Sequence, residues 1–298
     1  MKYAIGIDIG GTNTRVALIN EQIEIEKRQQ FRTDIVNPEQ TINEIKRIID
    51  SFEVDYCGVG LSCPGPLDLI NQKIFESPNL KGQWHNFEIT KTMREVLNHP
   101  VYLENDANLA ALAEATLGEG KNYNKVQFLT ISTGVGAGLV INKKIYIGAH
   151  GFANEIANIC MWNNGPSHGD IHSGGIEAIS SGTAITKRAI DAGLKVNHAG
   201  EVDSLALNGN LVAKKIMYEA KQYLANTIGC IYGIIDPDII VLGGSVAIKI
   251  PNFIEEVEIM VKSQVYRNIE PLVKIVKSSL GEDSGLLGAA YLALKNNI

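Results

Sequence analysis

Two glycine-rich turns, each set between apolar strands, constrain this chain more than any other feature. Residues 3–20, YAIGIDIGGTNTRVALIN, read as an apolar strand, a turn carrying Asp8, Gly10, Gly11, Thr12 and Thr14, and a second apolar strand. Glycines and small hydroxyls in such a hairpin let backbone N–H groups approach an anion closely. Asp8 is acidic inside a run that otherwise favours burial, so it needs a partner, and a divalent cation carried on a nucleotide suits it. An unliganded Asp/Gly hairpin fits the same residues. Residues 126–142, VQFLTISTGVGAGLVIN, repeat the layout with Ser132, Thr133, Gly134, Gly136 and Gly138 in the turn. Two such hairpins, one opening each half, predict a duplicated two-lobe α/β architecture gripping nucleotide phosphates between the lobes. Neither turn is a Walker loop, because no Gly-Lys-Ser/Thr follows and no helix starts directly after it.

The other bounds come from size and charge. A chain of 298 residues suits two domains, each large enough for its own core. With 27 basic against 33 acidic residues and no basic cluster, no nucleic-acid partner is expected for the bare chain. Met1-Lys2 leads straight into the strand containing Asp8, neither a signal peptide nor a membrane span, so a cytoplasmic location is expected. Cys57, Cys63, Cys160 and Cys230 show no CxxC spacing and read as reduced thiols.

Along the chain, residues 21–33 predict a more exposed third strand, and Ile42, Ile45, Ile48 and Ile49 mark a helical stripe within 38–52. A buried strand over 56–61 runs into the turn Ser62-Cys63-Pro64-Gly65-Pro66, and Ser77-Pro78-Asn79-Leu80 with Trp84 reads as a loop. The apolar strand 101–103 stops at Glu104-Asn105-Asp106, and residues 107–117 form an alanine-rich helix. Asp106 at that junction is compatible both with an N-cap and with a carboxylate that accepts a proton from an attacking hydroxyl. Helices are expected over 181–193, within 204–235 and over 283–294. A buried strand over 238–242 ends in Gly243-Gly244-Ser245, where glycines leave room for a purine and ribose.

Asp8-Ile-Gly-Gly-Thr-Asn-Thr14, Glu104-Asn-Asp106, Ser132-Thr-Gly-Val-Gly136, Glu177, Gly243-Gly-Ser245 and Asp283-Ser-Gly-Leu-Leu-Gly288 follow the order and spacing of the ROK family, which the chain resembles over nearly its whole length. The resemblance implies a two-lobe actin-like ATPase (ribonuclease H-like) fold with an interlobe cleft. The lobes would be 1–117 plus 284–298 and 118–283. It implies an ATP-dependent sugar 6-kinase with Asp106 as general base and Asn105 holding neighbouring hydroxyls. Gly65, Asn79, Glu155, Asn158 and Glu177 would complete the sugar site. Asp8 would hold Mg2+ with ATP. Gly10, Gly11, Thr12, Thr14, Thr133, Gly134 and Gly136 would cradle phosphates, and Gly243, Gly244 and Ser245 would receive adenosine. Lobe closure is expected to exclude water.

Where the family has a Gly-Glu-x-Gly-His stretch and three zinc-binding cysteines, this chain has Asn158 for the histidine and His168, Asp170 and Gly175 for the cysteines. That set lacks tetrahedral zinc chemistry, so no structural zinc is expected; a site rebuilt from His168, Asp170 and His172 is the alternative. Within the family, Glu177-Ala-Ile-Ser-Ser-Gly182 and Gly243-Gly-Ser-Val246 look most like N-acetylmannosamine kinases. The alternatives are a glucokinase or other hexose or β-glucoside kinase, and a sugar-responsive repressor. The intact turn eight residues from the start opposes the repressor. A homodimer is the family habit.

Overall fold

Residues 3–20 fold as the hairpin their glycines call for. In the structure, a computed structural model describing residues 2–75, 77 and 79–296, β1 (Tyr3–Ile9) and β2 (Asn13–Asn20) pair antiparallel, Tyr3 against Asn20 and Ile9 against Thr14. Pro78 of the 77–80 loop lies outside the described residues. β3 (Ile25–Arg32) adds to β2 as a largely exposed strand. α1 (Pro38–Asp50) starts where Asn37 accepts the Glu39 N–H at 3.1 Å and Pro38 supplies a helix-ready φ. Its isoleucine stripe is fully buried, each side chain contributing about 1.5–3 kcal/mol by leaving water.

β4 (Val59–Cys63) then runs parallel to β1, with Ser62 opposite Asp8. After the small hairpin of β5 (Leu67–Asp68) and β6 (Lys73–Ile74) and the helix α2 (Ile89–Leu97), β7 (Val101–Asn105) runs parallel to β4 and leads into α3 (Asp106–Thr116). The first sheet has the order β3-β2-β1-β4-β7.

The second half repeats this plan. β8 (Lys125–Ile131), β9 (Val135–Ile141) and β10 (Lys144–Ile145) form the antiparallel side. The helices α4 (Ile176–Ser180), α5 (Gly182–Asp191), α6 (Ala199–Leu207) and α7 (Leu211–Ile234) precede β11 (Ile239–Gly243), which is parallel to β8. α8 (Ser245–Lys249) and α9 (Phe253–Lys262) lead to β12 (Ile275–Lys277), parallel to β11, and α10 (Ser284–Asn296) closes the chain. The order β10-β9-β8-β11-β12 matches the first sheet strand for strand: hairpin and third strand on one side, two parallel strands on the other. The echo between residues 3–20 and 126–142 is therefore the start of a duplicated topology.

The chain forms two compact units. One comprises Met1–Ala113, Ile147–Ala153 and Glu282–Ile298; the other comprises Glu114–Tyr146 and Asn154–Gly281. The 1–117/118–283 division read from the sequence is thus shifted by a few residues at each crossing, and the segment 147–153 returns to the first unit. In that unit α10 lies on the sheet through Leu286, Ala290, Ala293 and Leu294 against Ala4, Ala17 and Ile19. In the second unit, buried Glu114 receives Ser278 Oγ at 2.6 Å, the N–H groups of Ser279 and Leu280 at 3.1 and 3.2 Å, and that of Glu119 at 3.1 Å. Those four donors satisfy a carboxylate that burial would otherwise penalise. Among the described residues, no helix is long and apolar enough to cross a membrane.

Candidate active site

In the first unit the parallel strands β1, β4 and β7 end at the same edge of the sheet, the edge where ligands gather in parallel α/β sheets. Asp8 lies near the end of β1. Ser62 Oγ donates to its Oδ1 at 2.9 Å, and the first turn of α10 lies near both: a Cβ on Gly285 would come 3.5 Å from Ser62 Oγ and 3.8 Å from Asp8 Oδ1. The Asp8 side chain is only partly covered, yet its carboxyl is largely desolvated. That burial raises its pKa, while the Ser62 hydrogen bond and the charges of Arg15 and Arg28 pull it down. Such a carboxylate suits a cation brought in with a ligand.

Gly10, Gly11 and Thr12 form the open turn after β1. The Gly10 N–H donates to Asn13 O at 2.9 Å, and a Cβ on Gly11 would come 2.8 Å from Asn79 Cβ, so only glycine lets the Asn79 loop pack on this turn. Thr14 faces the other way. It is fully buried, its hydroxyl is 2.9 Å from Thr33 Oγ1, and Thr33 Oγ1 donates to Gly10 O at 2.8 Å. Thr14 therefore braces the turn from behind rather than lining it.

Asn105 ends β7 and Asp106 begins α3. The cap is Asn105: its Oδ1 receives the Ala107 N–H at 2.9 Å and the Asn108 N–H at 3.4 Å. Asp106 is exposed, and its Oδ1 also receives the Ala107 N–H at 2.8 Å. Behind them Glu104 is buried, accepting from Asn105 N–H and Asn108 Nδ2, and desolvation raises its pKa. Between the two aspartates lies Cys63, whose thiol is pushed well above its ordinary pKa by burial, then by the charges of Asp106 and Asp8. Both carboxylates thus bear on one atom. Gly65 follows two residues later, half-buried, on the same strand-end turn.

The second unit has its own set at the ends of β8 and β11. The turn Ser132-Thr133-Gly134 is closed by Ser132 N–H to Gly134 O at 2.9 Å, and Gly136 pairs with Thr130 in the strands below. The start of α5 is bonded to it: Gly182 N–H donates to Ser132 O at 2.7 Å and Thr183 Oγ1 donates to Thr133 O. Gly243 sits opposite Thr130, and Gly244, with φ of 85°, passes so close that a Cβ would come 2.4 Å from Ile131 O. Gly243, Gly244 and exposed Ser245 are thereby brought beside the Thr133 turn.

Glu177, on α4, belongs to the same cluster. Its Oε2 accepts the Val135 N–H at 2.8 Å, and a Cβ on Gly134 would come 2.6 Å from that oxygen. Glu155 is exposed, but partial desolvation and the Glu177 charge raise its pKa, which marks two carboxylates sharing one neighbourhood. Asn158 accepts the His172 N–H through Oδ1 at 2.8 Å, leaving its amide N–H groups for other partners. His168 and Ile171 form an isolated bridge in a loop, and among the described residues no group of three His, Cys, Asp or Glu side chains is arranged around a metal position. Ser62, Thr33 and Thr183 carry no signal in the sequence; parallel-strand register and loop packing bring them in.

These paired sheets, each opening with a glycine-turn hairpin, define a two-lobe actin-like ATPase fold. The solved ROK hexokinase from Thermus thermophilus shares it with a TM-score of 0.89 and 29% identity over 99% of each chain. The ROK family model matches residues 4–296. N-acetylmannosamine kinase of Yersinia pestis (strain Pestoides F) is 30% identical over 98% of this chain and 99% of its own length. The glucokinase of Thermotoga maritima is 29% identical over 97% and 96%. The chain belongs to the ROK family, as one of its ATP-dependent sugar kinases.

Proposed function

We propose that the protein transfers the γ-phosphoryl group of ATP to the 6-hydroxyl of N-acetyl-D-mannosamine. The observation that carries the phosphotransfer reading is the shared strand edge of the first unit, where the parallel strands β1, β4 and β7 bring Asp8, bonded to Ser62, and the Asn105-Asp106 junction to one end of the sheet. Asp106 accepts the hydroxyl proton as the new P–O bond forms and the bond from the γ-phosphorus to the bridging oxygen breaks, releasing ADP; Asn105 and Asn79 orient the acceptor. Asp8 would hold Mg2+, which when bound with ATP would offset the charge on the phosphate oxygens. In the first unit the backbone N–H groups of Gly11 and Thr12 would donate to phosphate oxygens; in the second, those of Thr133 and Gly134 would do the same, and Gly243, Gly244 and Ser245 would make room for adenosine. Glu155, Asn158 and Glu177 hold hydroxyls near the anomeric carbon. The choice of acceptor rests on the Glu177-Ala-Ile-Ser-Ser-Gly182 stretch and on the 30% identical N-acetylmannosamine kinase. A hexose such as glucose is the runner-up, supported by the glucokinase of similar identity. A cytoplasmic homodimer is part of the same reading, by family likeness.

The acceptor is tested by comparing kcat/KM for N-acetylmannosamine, N-acetylglucosamine, glucose, fructose and a β-glucoside, and by locating the product phosphate by 31P–1H correlation. N-acetylmannosamine is expected to lead by about tenfold or more, with phosphate coupled to the C6 protons. Chelation is expected to stop turnover and Mg2+ alone to restore it. A glucose preference would keep the mechanism and overturn the acceptor; a need for added zinc would contradict the expectation of a zinc-free loop.

A further inference from the structure

The segment from Asn158 to Gly175 runs through turns and isolated bridges, and most of its hydrogen bonds close it on itself. Met161 N–H donates to Gly174 O at 2.8 Å, Gly174 N–H to Pro166 O at 2.8 Å and Ser173 Oγ to Gly165 O at 2.6 Å. Outward, Met161 packs against the core of the second unit, Ile159 O accepts the Ile176 N–H at 3.1 Å, and Trp162 makes the aromatic tie. Its indole stacks on Tyr223 of α7, with ring centroids 4.9 Å apart and planes 12° from parallel. The Arg188 guanidinium of α5 lies 5.7 Å from the indole centroid. Arg188 is itself fixed twice: it is paired with Glu219, one turn before Tyr223 on α7, and its Nη1 donates to Ile179 O of α4 at 3.2 Å. The loop wraps its own tryptophan closely, a Cβ on Gly174 coming 1.8 Å from Trp162 O and one on Gly165 coming 2.9 Å from the indole. One side chain thus joins the loop that carries Asn158 to α5, α7 and, through Arg188, to α4, which carries Glu177.

We propose that Trp162, held between Tyr223 and Arg188, is a positioning residue for the sugar: it fixes the loop and α4 so that Asn158, Glu155 and Glu177 meet the acceptor in one geometry. This rests on the assignment of those three residues to the sugar under the proposed function. An irregular segment of this length in an ordered site needs such an anchor, because closing it costs entropy that its internal bonds do not recover. Stacking and cation–π contact give an anchor that is independent of a metal.

The test uses the full-length protein as wild type, Trp162→Ala and Trp162→Phe, with hydrogen exchange of residues 158–175 and steady-state kinetics for sugar and ATP. In Trp162→Ala the segment is expected to exchange about tenfold faster or more, while β1 and β4 keep their protection. KM for the sugar rises about tenfold with KM for ATP within about twofold of wild type, and Trp162→Phe recovers most of both, since a ring remains to stack. Unchanged loop exchange in Trp162→Ala, faster exchange with an unmoved sugar KM, or a phenylalanine variant no better than alanine would each overturn the proposal. Failure of the functional reading looks different: the wild type itself would turn over no sugar. Loop exchange would then still decide whether Trp162 is the anchor.

Discussion

Asp106→Asn is expected to lower kcat by roughly 10²-fold or more, with KM for sugar and ATP held within about twofold. The structure makes this substitution clean. Asparagine retains an oxygen to receive the Ala107 N–H, now 2.8 Å from Asp106 Oδ1, and Asn105 accepts the same N–H, so α3 keeps its start. Asp106 is exposed at the strand edge, so the substitution falls on a solvent-facing side chain. What disappears is the carboxylate that takes the proton from the attacking hydroxyl. Steady-state ADP release, with circular dichroism as a check on folding, reads the outcome. Turnover close to wild type would remove Asp106 from the general-base role.

Gly60→Ala should cost about 3 kcal/mol or more of stability, the upper range for overpacking a filled core. A Cβ at Gly60 on β4 would come 1.7 Å from Ala289 O and 2.3 Å from its carbonyl carbon on α10. Both atoms are backbone, so relief requires the helix to lift off the strand. Gly233→Ala on α7 is the control. Nothing lies within 4 Å of a Cβ there, and alanine in a helix is favoured over glycine by up to about 1 kcal/mol. Urea unfolding of the two variants should therefore move in opposite directions. Equal midpoints would mean that α10 does not seat on β4 as described.

The parts of the fold legible in the sequence were those with a strong local signal. The two glycine turns gave both hairpins, the isoleucine stripe gave α1, and the stop of an apolar strand at Asn105-Asp106 gave the junction with α3. Other elements are too brief to show a period. β12 is three residues long, and α2 exposes its pattern only through Ile89, Met93 and Leu97, one residue per turn. Trp84 shows the limit of composition. Its polar surroundings read as loop, yet it is fully buried with Nε1 donating to Asp34 O at 2.8 Å.

The candidate site was legible as residue types and only partly as roles. Thr14 looks like its neighbours in the turn, but strand alternation directs it inward to Thr33. Asn105 rather than Asp106 is the main cap of α3, a choice set by one residue of helix phase. Ser62 reaches Asp8 because β4 is parallel to β1 in a register that pairs them, and register between distant strands has no local signature. The contact between Glu177 and the Val135 N–H likewise spans 42 residues and depends on how α4 packs.

The most direct test of the central claim is ADP release from Mg-ATP by the purified protein with and without N-acetylmannosamine or glucose. Release is expected to depend on the sugar, with one sugar phosphate formed per ADP. ADP release at the same rate with no sugar present, or none with any sugar offered, would contradict it.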